Sequence, residues 1–191
     1  MTKRVVIAGL LGGIAMYVWS VIAHLVLPLG QVGVQELPNE PPVLSALSAS
    51  VGNGHGLFLF PRMDPGSSMQ QYQQKLTTSP SGLLVYHAPG GEALTVRQLI
   101  TDLITELVEA LLAAFLVAQT RLSTFGGRVG FVAVLGVLAN IATNIPYWNW
   151  YGFPSTYTAS YIFMGVVGFI VAGLVIAAML RRGEAARVAT A

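Results

Sequence analysis

Three carboxylates, Asp102, Glu106 and Glu109, stand four and then three residues apart in an otherwise apolar run. On a helix this spacing gathers them on one stripe, with Gln98 and Thr105 on the same side and Leu, Ile, Val and Ala opposite. An ionised carboxylate at bilayer depth is costly, by about 2.5 to 3.5 kcal/mol for an Asp at the helix centre on the insertion scale. Such groups must meet protein, water or a cation, or take up a proton. If the helix starts near Arg97, Asp102 falls in its outer quarter and Glu109 near mid-membrane. The stripe then suits either a relay of titrating groups or a polar contact that fixes a neighbouring helix. Were the helix to project two turns above the membrane, Asp102 and Glu106 would form a solvated face and only Glu109 would need a partner.

Other polar residues fall at matching depth. Tyr17, Ser20 and His24 follow one another at spacings of three and four in the first apolar run. Asn140, Thr143 and Asn144 sit in a later run, and Ser160 and Tyr161 open the last. These could converge on a polar outer cavity, with His24 and the three acids as its titratable set and Asn140 and Asn144 as hydrogen-bonding partners. The asparagines serve equally well as interhelical glue. The His24 imidazole could ligate a divalent metal or a pigment such as a chlorin or haem, although a lone histidine near a helix end more often hydrogen-bonds at the interface. His55 and His87 lie in glycine- and proline-rich loops without a second ligand at metal spacing, and read as turn residues.

The usual enzyme signatures are missing. There is no Gly-x-Ser-x-Gly elbow, phosphate-binding Gly-x-x-x-x-Gly-Lys loop, His-Glu-x-x-His pair or dinucleotide fingerprint. With no cysteine, thiolate zinc sites, iron–sulfur clusters and covalent c-type haem are excluded. No cofactor is required by the residues present.

The elements that must hold these residues are dictated by composition. Of 191 residues 54% are hydrophobic and 9% charged, where a soluble domain carries about a quarter charged residues. Several apolar runs are long enough to cross a bilayer. The expected fold is an all-α integral membrane bundle of four transmembrane helices. Residues 1–30 hold the first helix, 31–94 form a loop that folds as a small extracytoplasmic α+β cap, 95–183 hold helices two to four, and 184–191 form a cytoplasmic tail. The first span runs roughly over Val5–Leu27 and stops at Pro28 and Gly30. It follows Thr2-Lys3-Arg4 and imitates a secretory signal, but the apolar stretch continues to Leu29, longer than a usual signal core, and reads as an anchor.

The second span begins at Thr95, an N-cap with Gln98 placed to complete a capping box, and runs to about Thr120. The third covers roughly Val129–Tyr147, weakened at Pro146, and the fourth Tyr157–Leu180. Gly9 and Gly13, and later Gly165, Gly168, Ala172 and Gly173, offer small faces for close helix packing.

Lysine and arginine set the orientation. With four crossings, Lys3, Arg4, Arg121, Arg128, Arg181, Arg182 and Arg187 share one side, and only Arg62, Lys75 and Arg97 the other. That bias puts both termini in the cytoplasm of a bacterial-type inner membrane and the loop outside. Trp148 and Trp150, within Tyr147–Tyr151, fit an outer interfacial belt. The net charge of +2 is scattered at span ends, which reports topology and not nucleic-acid binding.

Within the loop, Pro41 and Pro42 open a short helix through Val43–Leu47, and Gly56–Phe60 reads as a strand. A polar helix runs over about Ser67–Leu76, and Gly82–Tyr86 is a second strand able to pair with the first. Gly90-Gly91 and Gly126-Gly127 read as turns at helix boundaries.

The leading functional expectation is a non-catalytic accessory subunit, meeting lipid and other membrane subunits or its own copies within a larger complex such as a respiratory or photosynthetic one. The alternative is a small ion- or proton-coupled transporter using the carboxylates of the second span. A metal-dependent membrane enzyme built on His24 and the acidic stripe is a weaker third.

Overall fold

The structure, a computed structural model, describes residues 2–188, with side chains as far as residue 180. Arg181, Arg182 and Arg187, counted above for orientation, lie outside the described side chains. The fold is mostly helical, and its contacts divide it into two compact units.

The larger unit takes in the chain through Val34, Leu94–Asn149 and the chain from Phe153 onward. It opens with α1 (Lys3–Val21), which widens over Ile22–Val26 into a π-type turn where the Leu27 N–H donates to the Ile22 carbonyl at 3.0 Å. Pro28 cannot continue a helix, having no N–H to donate and a ring that collides with the preceding turn. A short 3-10 turn, Leu29–Gln31, follows it.

Next in this unit is α4 (Val96–Gln119), numbered after the three elements of the loop, α2 (Glu40–Val51), β1 (Gly56–Phe60) and α3 (Met69–Thr78), with β2 (Gly82–Tyr86) closing the loop. The start of α4 is fixed by a full capping box: the Gln98 N–H donates to Thr95 Oγ1 at 3.1 Å and the Thr95 N–H to Gln98 Oε1 at 2.8 Å. Then come α5 (Phe125–Tyr151) and α6 (Ser155–Val188).

Among the described residues, three helical segments are long and apolar enough to cross a membrane: Lys3–Val26, Phe125–Tyr151 and Ser155–Leu180. The second expected span, α4, is not among them; it carries Arg97, Asp102, Glu106 and Glu109 within its length.

Pro146 does not end α5. The helix runs past it to Tyr151, so the proline gives up one backbone bond in the last turns without stopping the helix. The stop falls at Gly152, whose φ of +70° takes the chain into the left-handed region. Tyr147 and Trp148 are therefore helical residues, and the Trp148 indole N–H donates to Ser155 Oγ at 3.0 Å. Gly126 and Gly127, expected in a boundary turn, lie inside the first turn of α5.

The core of this unit mixes small residues with a few large ones, among them Met16, Val132, Phe169 and Ile176. Ala8, Ala110, Ala113, Ala114, Ala172 and Ala177 are all buried, while Ile14, Val108, Leu138 and Phe163 point outward. In lipid there is no hydrophobic drive to bury large apolar side chains against one another, and helices associate where small residues let backbones approach. Gly9 and Gly13 of α1 meet α4 this way: a Cβ on Gly13 would stand 2.7 Å from Leu107 Cα, and one on Gly9 2.8 Å from Leu111 Cα. Gly12 turns to Ile176 of α6, Gly136 of α5 to Phe169, and Gly173 of α6 to Val132. The Trp19 indole N–H donates to the Met164 carbonyl at 2.9 Å, tying α1 to α6.

The smaller unit comprises Gln35–Ala93 with Trp150–Gly152. Its helix α2 begins at Glu40, with the two prolines in its first turn, and continues to Val51, past the expected end at Leu47. Its strands pair antiparallel from Gly56↔Tyr86 to Phe60↔Gly82. Tyr86, the last residue of β2, is buried, its hydroxyl donating to the Gly52 carbonyl at 3.0 Å. Ser68 caps α3 with a second reciprocal box through Gln71, so that helix starts at Met69 and extends to Thr78. Lys75 on α3 donates to the Arg62 carbonyl at 3.1 Å and to Asp64 Oδ2 at 2.9 Å. These bonds tie α3 to the segment that follows β1.

Candidate functional site

Local helix geometry places the acidic stripe as its spacing implies, and packing fixes its level along α1. Gly13 of α1 lies against the backbone of Glu106 and Leu107, where an added Cβ would stand 2.9 Å from the Glu106 carbonyl oxygen. Gly13 is close to the middle of Lys3–Val26, so Glu106 is level with the centre of that apolar segment. Glu109 lies one turn further toward the pairing of Gly9 with Ala110 and Leu111. Sequence position alone had put Glu109 at the centre.

Asp102 is exposed, and Glu106 and Glu109 are half-buried. Glu106 Oε2 is closed off from solvent and has no hydrogen-bond partner. Among the described residues none of the three carboxylates forms an ion pair. Thr105, on the same side, turns its hydroxyl back to the Thr101 carbonyl at 2.9 Å and is of no help to them. Toward the start of α4 the stripe opens onto a groove of about 660 Å³ lined by Thr95, Arg97, Gln98, Thr101, Asp102 and Thr105.

The other polar residues of the spans are held in two further places. Asn140 and Asn144 of α5 are partly buried, and each donates to the carbonyl four residues back, Gly136 at 2.9 Å and Asn140 at 3.0 Å. Asn140 is also the side chain that fills the space above Gly165 of α6, which works only because Gly165 has no side chain of its own. Thr143 is exposed and bonds the Ala139 carbonyl.

His24, exposed in the π-type turn, has its Nδ1 2.9 Å from the Ser20 carbonyl and its ring edge-on to Tyr161 at 6.3 Å. Tyr161 stacks in turn on Tyr157 at 4.3 Å, and Phe153 joins the row at 5.5 Å from Tyr157. Beside it the Ser160 hydroxyl, buried, donates to the Leu29 carbonyl at 2.8 Å. These contacts place His24 at the junction of the end of the first helical segment with α6. Among the described residues no group of three or more His, Asp or Glu side chains is placed to hold a metal ion.

One pairing escaped the sequence reading. His55 and His87 approach with ring centroids 6.3 Å apart, and the Ala88 N–H donates to His55 Nδ1 at 3.3 Å. The signal was available: once Gly56 pairs with Tyr86, the next antiparallel pair outward is residue 55 with residue 87. An imidazole accepting through Nδ1 carries its proton on Nε2, so His55 in this state presents a donor and no free lone pair.

No known family, curated protein or solved structure matches the chain. The residues themselves therefore carry the functional reading.

Proposed function

We propose that the protein is a non-catalytic subunit of a membrane assembly, in which a seam of glycine and alanine holds α4 so that its acidic stripe meets another membrane protein. The observation that carries this reading is Glu106: level with the middle of the α1 apolar segment, half-buried, and without a hydrogen-bond partner for Oε2. An intramembrane acid is expected to face protein, water or a cation. Among the described residues its own chain packs against Glu106 but supplies Oε2 with neither a hydrogen-bond partner nor a cation. Large apolar side chains flank the stripe on α4, with Ile104, Val108 and Leu112 exposed, which suits a helix bordered by lipid on one side and a polar contact on the other.

The reading includes α4 as a fourth crossing, in an inner membrane, with both termini cytoplasmic and the 31–94 loop outside. Its test is gentle purification of the chain from its native membrane, with chemical cross-linking as a parallel measurement. A stoichiometric membrane partner is expected, and Glu106→Gln is expected to release it while the variant remains folded. Wild-type chain recovered alone, cross-linked to nothing, overturns the reading.

The same observation favours a second reading from a different class. Carboxylates one turn apart with no counter-charge are also how a proton relay is built, and a small proton-coupled carrier would use Glu106 and Glu109 in sequence. Glu109→Gln then abolishes proton-coupled flux in reconstituted vesicles. Flux equal to that of the wild type, or none in either, removes this reading.

A further inference from the structure

At the end of the helical unit where the chain begins and α4 turns into α5, a cavity of about 730 Å³ opens, and it touches none of the carboxylates discussed above. Three arginines line it from three separate parts of the chain: Arg4 in the first turn of α1, Arg121 in the turn after α4, and Arg128 in the first turns of α5. Among the described residues, no Asp or Glu lines it. The remaining walls are mixed, with Gln119 and Ser123 as polar groups and Phe115, Val117 and Leu180 as apolar ones.

Arginines at span ends have a simpler explanation, that they only set topology. A topological arginine needs no more than a place in a loop. Arg128 is different: it is 6% exposed, and its Nε donates to the Leu122 carbonyl at 2.9 Å, so that it is fixed as part of the cavity wall. Arg4 and Arg121 are exposed and reach the same space from the rim. Planar guanidinium groups match phosphate oxygens in paired hydrogen bonds, and the apolar wall suits the non-phosphate part of an amphiphile. Basic pockets between membrane helices at the cytoplasmic side are places where anionic headgroups bind.

We propose that this cavity binds a phosphate-bearing anion, presented either as the headgroup of an anionic phospholipid or as a soluble phosphate ester. It is a site independent of the acidic stripe, and it stands whether or not the stripe meets a partner.

The test uses the full chain, delipidated in detergent. Phosphatidylglycerol, phosphatidylcholine and glycerol 1-phosphate are titrated separately, with bound ligand counted by native mass spectrometry. Phosphatidylglycerol is expected to bind at least about tenfold more tightly than phosphatidylcholine, since roughly fivefold is expected from each basic residue near the membrane surface. The double variant Arg4→Gln, Arg121→Gln is expected to lose that preference, and Arg4→Lys, Arg121→Lys to keep most of it. Ser123→Trp, at an exposed position on the rim, blocks the cavity without altering its charge and is expected to weaken binding as well. Displacement of phosphatidylglycerol by glycerol 1-phosphate identifies a soluble ester as a sufficient ligand, and selectivity without displacement identifies the lipid. Equal binding of the two lipids by the wild type overturns the proposal, as does a preference for phosphatidylglycerol that survives both the double glutamine variant and Ser123→Trp.

Discussion

Asp64 and Glu106 are both carboxylates close to helices, and their surroundings set them opposite tasks. Asp64 lies in the loop unit with the Lys75 ammonium 2.9 Å from Oδ2 and Arg62 Nε 3.7 Å from Oδ1. The hydrogen bond from Lys75 and the charges of Lys75 and Arg62 hold its carboxyl below the usual carboxylate range. Because the folded value is the lower one, the unfolded chain takes up the proton first as pH falls. The contribution of this pair is present above the ordinary Asp value and disappears as pH falls through the lowered one. Protection of the amides from β1 to α3, taken relative to the intrinsic exchange rate at each pH, is therefore expected to fall on acidification, and Asp64→Asn to remove that dependence. An Asp64→Asn variant with the acid response of the wild type contradicts this account. The effect is small, since Asp64 is exposed and Lys75 only partly buried, so that solvent screens the pair. Glu106 has no such pairing among the described residues, so its role is decided by what lies beside α4.

At the scale of elements, the glycines divide into those that permit a contact and those that do not. Gly13 and Gly130 both lie inside apolar helices. A side chain at Gly13 collides with the backbone of α4, while one at Gly130 meets nothing within 4 Å. Gly13→Leu is expected to destabilise the bundle by about 1–3 kcal/mol, as overpacking of a close contact does. Gly130→Ala is expected to be neutral or to gain up to about 0.5–1 kcal/mol through helix propensity. Thermal unfolding in a single detergent compares the two directly, and equal effects would contradict the assignment of the α1–α4 seam. The same logic explains the pairing of Gly165 with Asn140: the amide needs room, and only a residue without a side chain leaves it.

For the whole molecule, the decisive issue is the number of crossings. Lys3–Val26, Phe125–Tyr151 and Ser155–Leu180 meet the length and apolarity of a span, and α4 adds a fourth only if its acids are accommodated within the membrane. Reporter fusions at residues 60 and 185 distinguish the cases. With four crossings the two positions report opposite sides of the bilayer, and the same side for both would remove α4 from the membrane. The second outcome would also leave Glu106 a residue of an aqueous face and withdraw the argument for a membrane partner.

Much of this was legible in the residues because it depends on near neighbours. The Thr95–Gln98 box, the stripe of three acids, and the strands Gly56–Phe60 and Gly82–Tyr86 are set by capping chemistry, the 3.6-residue period and turn-forming glycine and proline, all local to the chain. The end of α5 was misjudged because one proline near a helix end costs a single bond, which the flanking turns survive. Tertiary structure alone decided which helix each glycine faces, that Glu106 and not Glu109 is level with the middle of α1, and that Arg4, Arg121 and Arg128 line one cavity. Small residues are compatible with many partners, and their spacing permits close approach without naming the helix that approaches. That choice is made by the joint packing of α1, α4, α5 and α6, which no local pattern in the sequence encodes.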